Sequence, residues 1–161
     1  MTGPAGPVEE ILEPELPIVD PHHHLWDRRA ALAAAGDDPA RRHGFLRVID
    51  MAARYLLDEL LEDTGSGHNV VATVFVECRS MWRKDGPPAL RPVGETDFVN
   101  GVAAMCASGT YGPTRACAGI VSHADLRLPP DTVDRVLEAH IAAGGGRFRG
   151  IRHSASWHDD P

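Results

Sequence analysis

The segment NVVATVFVECRS (69–80) is a nearly continuous Val-rich run, apolar from Val70 to Val76 except at Thr73 and mostly β-branched. A strand with one wet face alternates apolar and polar residues. An unbroken apolar run needs cover on both faces, as in the parallel sheet of an α/β protein. The flanking sequence fits that constraint. LPIVDPHHH (16–24) is a shorter β-branched run broken by Pro21, and RACAGIVSHADL (115–126) and RFRGIRHSAS (147–156) are two further strand candidates. Helical patterns lie between them. VIDMAARYLLDELLEDTGSG (48–67) puts Met51, Tyr55, Leu56 and Leu60 near one stripe, with Gly65 where a terminating glycine belongs. ETDFVNGVAAMCASG (95–109) closes at Gly109, and PPDTVDRVLEAHIAAGGG (129–146) opens on Pro130 and Asp131 and ends at Gly144, Gly145 and Gly146.

The order β-α-β-α-β-α-β predicts a parallel sheet with right-handed crossovers. Residues 28–47 read as a surface excursion with one short helix at RRAALAAAG (28–36), and residues 1–17 as a flexible lead-in. A (β/α)8 barrel normally takes ~250 residues. The fold class expected for 161 residues is therefore α/β, a TIM-barrel-like fold present as an incomplete N-terminal half with about four parallel strands over residues 18–161. A complete doubly wound domain is the alternative, with one face thinly covered.

The net charge of −7 argues against nucleic acid or an anionic membrane as the main partner, since both need a basic face. With 43% apolar residues the chain has the material for a core, yet no apolar run approaches the ~20 residues of a membrane span. The start, acidic and rich in proline, lacks the basic and apolar segments of a secretory signal. Cys78, Cys106 and Cys117 show no paired spacing and read as reduced, mostly buried thiols. A cytoplasmic protein is expected.

Every strand candidate finishes in polar groups, and ligand sites of parallel α/β folds lie at the C-terminal strand ends. If extended geometry persists past Pro21, His22 and His24 share one side of the first strand and could reach a common ion, while His23 points away. The second strand ends at Glu77, the third at His123, the fourth at Arg152 and His153. Each has a plainer alternative. His123 could bond a loop carbonyl, and Glu77 could form a structural ion pair with Arg79 or Arg152. Trp26, Trp82 and Trp157 read as packing residues, and His43, His68, His140 and His158 receive no role. No GxGxxG follows a strand, no GxxxxGK[ST] or GxSxG occurs, and nucleotide binding and serine hydrolysis find no support.

Taken together, IVDPHHHLWD, VVATVFVEC, GPTRACAGIVSHADL and GGGRFRGIRHSASW resemble the amidohydrolase-related (amidohydrolase 2) family of the metal-dependent hydrolase TIM-barrel superfamily, its N-terminal half only. The resemblance runs from about Ile18 to the C-terminus. It implies a distorted barrel whose active site gathers at strand ends, with His22 and His24 as the first-strand pair. The carbonyl would be polarised either by a divalent metal, zinc first, or by a set of His and Arg groups, as in relatives of the sugar-lactonase-like branch that work without a tightly held metal. The further ligands, two histidines and an aspartate, come from later strands that this chain does not carry. The implied chemistry is water attack on the carbonyl of a lactone, amide or related substrate, or decarboxylation in some relatives. His22, His24 and His153 would be catalytic, with Glu77, His123 and Arg152 binding substrate. The competing expectations are a non-catalytic half-barrel, inert or pairing with another copy to cover its open sheet edges, and a small histidine metal-binding domain.

Overall fold

The computed structural model describes residues 10–36 and 51–154. Four strands form one parallel sheet: β1 (Ile18–His23), β4 (Val70–Val76), β5 (Arg115–Ser122) and β6 (Phe148–Ile151), hydrogen-bonded in that order. β4 is the Val-rich stretch Val70–Val76, and it lies inside the sheet between β1 and β5. Two helices connect the later strands, α3 (Val93–Ala107) between β4 and β5 and α4 (Pro130–Ala143) between β5 and β6. A 3-10 turn, Pro88–Leu90, leads into α3.

The core lies between the sheet and its helices. Val99, Val102, Ala103 and Cys106, spaced along one face of α3, meet Phe75, Ala116, Cys117 and Ile120 from the strands. Phe75 and Ile120 are fully buried, each worth about 2 kcal/mol of apolar burial. On α4, Val136 and His140 are buried, and Gly144 ends the helix by donating to the His140 carbonyl at 2.8 Å.

Helices α3 and α4 touch each other, so both cover the same face of the sheet. Along β4 and β5, Val74 pairs with Gly119 and Val76 with Val121, one step out of phase with Phe75 and Ile120. These residues therefore point to the other face. There Val19 is 54% exposed and Val74 and Val121 are half-buried. A Cβ on Gly119 would meet Val74 and Arg149 at 3.4–3.6 Å, so this face narrows around its glycine. Sheet neighbours follow chain order, without the reversal at which a doubly wound sheet switches direction.

Upstream, β2 (Trp26–Asp27) pairs antiparallel with β3 (Arg54–Tyr55), and α1 (Arg29–Ala35) matches the short helix expected in the excursion. Of the helix expected over 48–67, the described residues show α2, Leu57–Thr64, with Met51 helical and a break between them. Arg54 and Tyr55 are held by β2 instead, and Met51 is 88% exposed. The buried residues of α2 are Leu57 and Leu60. Its start is set by Glu59, whose carboxylate accepts the Leu56 N–H at 2.8 Å, satisfying one of the free amides of the first turn. Residues 48–50 and 37–47 lie outside the described residues. Of the lead-in, residues 1–9 lie outside as well, while the Glu15 carbonyl accepts the Asn69 amide at 3.0 Å and Ile11 packs over Gly67. Among the described residues no helix is long and apolar enough to cross a membrane.

Candidate active site

Pro21 has no N–H to give the sheet, and the register of β1 against β4 slips between Asp20 and His23. The Asp20 carboxylate steadies the bend by accepting the His22 N–H at 3.0 Å. His23 turns inward and bonds the Thr73 hydroxyl at 2.8 Å, and burial lowers its pKa from 6.5 to about 4. His22 and His24 meet on the other side, their Nε2 atoms 3.2 Å apart. His24 Nδ1 lies 2.7 Å from the Val76 carbonyl, which fixes it as the N–H and leaves Nε2 as an acceptor facing His22 Nε2. Burial, only partly offset by that carbonyl, holds the His24 pKa below its ordinary value. A neutral imidazole whose outer nitrogen is an acceptor has the lone pair a metal ligand needs. Two nitrogens ~2.0–2.1 Å from a tetrahedral zinc stand ~3.3–3.4 Å apart, close to the separation seen here. No third His, Cys, Asp or Glu completes a metal-binding group among the described residues.

The other strand ends connect to this pair. Glu77, buried at the end of β4, accepts from Arg152 Nε at 2.8 Å, and Arg152 Nη2 also bonds the Glu77 carbonyl. This is the ion pair given above as the alternative reading of Glu77. The Arg152 carbonyl in turn accepts from His123 Nδ1 at 3.2 Å. His123 thus bonds a carbonyl across the β5–β6 boundary and keeps Nε2 free. His153 Nδ1 sits between the Leu126 amide at 3.0 Å and the Ala124 carbonyl at 3.1 Å, and it can serve only one of them at a time. Its ring lies 5.8 Å from that of His123. His22, His24, Glu77, Arg152 and His123 therefore form a continuous line along the C-terminal edge of the sheet, with His153 beside it.

Several residues without a role in the sequence reading build this edge. Glu95, in the first turn of α3, is buried, and its Oε1 accepts the Cys78 and Ser80 amides at 2.9 and 3.0 Å. Its Oε2 accepts the Trp82 indole N–H at 3.1 Å. Burial raises the Glu95 pKa, opposed by these donors. Arg79 and Met81, between and beyond the clasped amides, have φ of 61° and 54°, left-handed values that side chains resist. The resulting loop lays Trp82 on His123, ring centroids 5.5 Å apart. Trp82 thus packs at the strand ends, as expected, and Trp26 likewise packs on Tyr55 and donates to the Ala52 carbonyl at 2.6 Å. Trp157, His43 and His158 lie outside the described residues.

Behind His123, fully buried His140 donates from Nε2 to the His123 carbonyl at 2.9 Å. Its Nδ1 must then accept from the Thr96 hydroxyl at 2.8 Å, and Thr96 accepts from Ser122 at 2.6 Å. Every hydrogen in this chain has one available direction. Burial also drives the Cys78 and Cys117 thiols up to about 12, which disfavours the thiolate at both. A pocket of about 330 Å³ opens beside His123, walled by Trp82, Arg79, Arg127, Pro88, Pro92 and Leu128.

No family model and no solved structure matches the chain. It is similar to an uncharacterized protein, y4mH, of Sinorhizobium fredii (strain NBRC 101917 / NGR234), with 30% identity over 146 residues. The match takes in 91% of this chain and 42% of that protein, so the chain spans less than half the length of the curated relative it matches.

Proposed function

We propose that the chain is the N-terminal half of an amidohydrolase-type (β/α)8 barrel that hydrolyses a lactone, amide or related carbonyl substrate at its C-terminal strand ends. The observation that carries this reading is the His22–His24 pair, 3.2 Å apart, with the inner nitrogen of His24 committed to the Val76 carbonyl. The sheet supports it. Strand order is sequential, α3 and α4 cover one face, and the opposite face is apolar and half-open, as a barrel interior is before its remaining strands are added.

His22 and His24 would hold a divalent ion, zinc by the imidazole donor set and spacing. Such an ion polarises a carbonyl and acidifies a bound water. The protein side of the chemistry is orientation. The Val76 carbonyl holds the His24 ring, and Glu77 holds the Arg152 guanidinium, whose Nη1 has no hydrogen-bond partner among the described residues and is free for a substrate oxygen. His123, fixed through both its ring and its carbonyl, presents Nε2 to the same edge. On this reading the general base is an aspartate of a last strand supplied by sequence beyond these residues.

A lactone, amide and carboxylate screen on the full-length natural protein containing this chain tests the proposal. Chelator-sensitive turnover that disappears in a His22→Ala, His24→Ala variant supports it. Turnover unchanged in that variant removes the pair from the site. A second reading, a non-catalytic barrel module, is favoured by the mutual pairing of Glu77 and Arg152, and a screen without any turnover selects it.

A further inference from the structure

We infer that the pocket beside His123 is a subsite for a carboxylate carried on a small flat or apolar body, with Arg79 taking the charge and Trp82 the body. The inference deepens the hydrolase reading and rests on it only in calling the ligand a substrate.

Charge is the first argument. The neighbouring cations are already neutralised: Arg83 pairs with Asp97 at 2.7 Å, and Arg127 with Asp125 at 2.8 Å. The Arg127 guanidinium holds the Asp125 carboxyl well below the usual carboxylate range. Arg79 makes no salt bridge among the described residues, yet it lines the pocket. Asp125 and Arg127 both line the pocket and offset each other, so in a chain of net charge −7 Arg79, without a salt bridge among the described residues, leaves this wall locally positive. Guanidinium binds planar carboxylates through two parallel N–H groups.

Conformation is the second. Arg79 holds a left-handed φ of 61°, which costs about 1 kcal/mol for a side-chain-bearing residue. The amides on either side of it, Cys78 and Ser80, both converge on one oxygen of Glu95. Successive N–H groups turned inward in this way form an anion-binding nest, and here the anion is the protein's own buried carboxylate. Glu95 is thus a positioning residue. It fixes the turn that points Arg79 outward and, through its second oxygen, the indole of Trp82. Gly94 belongs to the device, since a Cβ there would lie 2.6 Å from the Met81 carbonyl.

Shape is the third. The Trp82 N–H is committed to Glu95 and one ring face rests on His123, so what Trp82 offers a ligand is bare aromatic surface. Pro88, Pro92 and Leu128 continue the apolar wall. The volume of about 330 Å³ is at the small end of ligand pockets, which run ~300–1,000 Å³.

The test is titration of sodium benzoate into the ¹⁵N-labelled chain, with benzamide as the neutral isostere. The expected result is saturable shifts of the Trp82 indole and the Arg79 and Leu128 amides. Benzamide and the R79Q variant should each bind at least tenfold more weakly, and R79K should recover most of the affinity. Arg79 is exposed, so R79Q keeps the fold, and its amide spectrum checks this directly. Absence of saturable shifts, equal binding of benzamide, or wild-type affinity in R79Q overturns the inference. Benzoate binding together with a failed hydrolysis screen removes the hydrolase reading and leaves the subsite. Hydrolysis without benzoate binding does the reverse.

Discussion

Acidifying the protein from pH 7 to pH 5 is expected to weaken the fold through one side chain, His23. Its ring is 7% exposed, wedged between Thr73 and Phe75, and burial lowers its pKa from 6.5 to about 4, with Asp20 offsetting part of the effect. The unfolded chain takes up a proton near 6.5, whereas the folded chain resists until about 4. The stability tied to this neutral ring is therefore fully present above pH 6.5, declines as the pH falls, and is gone below about 4. At ~1.4 kcal/mol per pH unit the gap is worth about 3 kcal/mol in all, of which about 2 kcal/mol is lost by pH 5. The pKa values of His24 and His140 are lowered in the same direction and add to the slope, so the assay has to isolate His23 by difference. Urea unfolding of wild type and His23→Gln at pH 7 and pH 5 does so, since Gln can still reach Thr73 but does not titrate. The variant is expected to lose about 2 kcal/mol less than wild type between the two pH values. Equal losses would refute the reasoning. So would an NMR titration of the His23 ring with a midpoint near 6.5, a measurement that stands even if the variant folds poorly.

Three other perturbations probe the strand-end edge. Glu95→Gln keeps the size but replaces one acceptor oxygen by a donor facing N–H groups, and is expected to destabilise by about 2–3 kcal/mol in urea unfolding and to broaden the Trp82 indole resonance. Gly94→Ala drives a methyl group into the Met81 carbonyl and the Arg83 amide, at 2.6 and 2.8 Å, for an expected loss of about 1–3 kcal/mol read as a lower melting temperature. Arg152→Ala strands the buried Glu77 carboxylate. The expected cost is about 2 kcal/mol, less than for a fully buried pair because the guanidinium is 38% exposed, and Glu77→Gln in the same background should recover part of it.

The strands were legible because a parallel sheet leaves a one-dimensional trace: Val70–Val76 could not have been anything with a wet side. Position along the sheet followed from the same pattern, which is why His22, His24, Glu77, His123 and Arg152 end up on one edge. The helix expected over 48–67 gives way at Arg54 and Tyr55, which form a strand instead. The stripe through Met51, Tyr55 and Leu56 was real as a pattern, but Arg54 and Tyr55 found a better hydrogen-bonding partner in a strand 27 residues upstream, beyond the reach of any local window. Glu95 was hidden for a different reason. Its acceptors' partners sit on a loop with left-handed arginine and methionine, and no residue preference announces such a conformation. His140 receives no role from the sequence, and only the tertiary arrangement shows both of its nitrogens engaged.

The Ser122–Thr96–His140 chain has a consequence for how this protein can change over generations. Its members come from a strand and two helices, with Thr96 and His140 44 positions apart, yet each hydrogen has a single destination. Replacing any one of them leaves a neighbour's polar atom sealed in without company. The trio must drift together or be exchanged wholesale for hydrocarbon, and a lineage that altered one alone would loosen the backbone beneath His123 before anything happened to the imidazole itself.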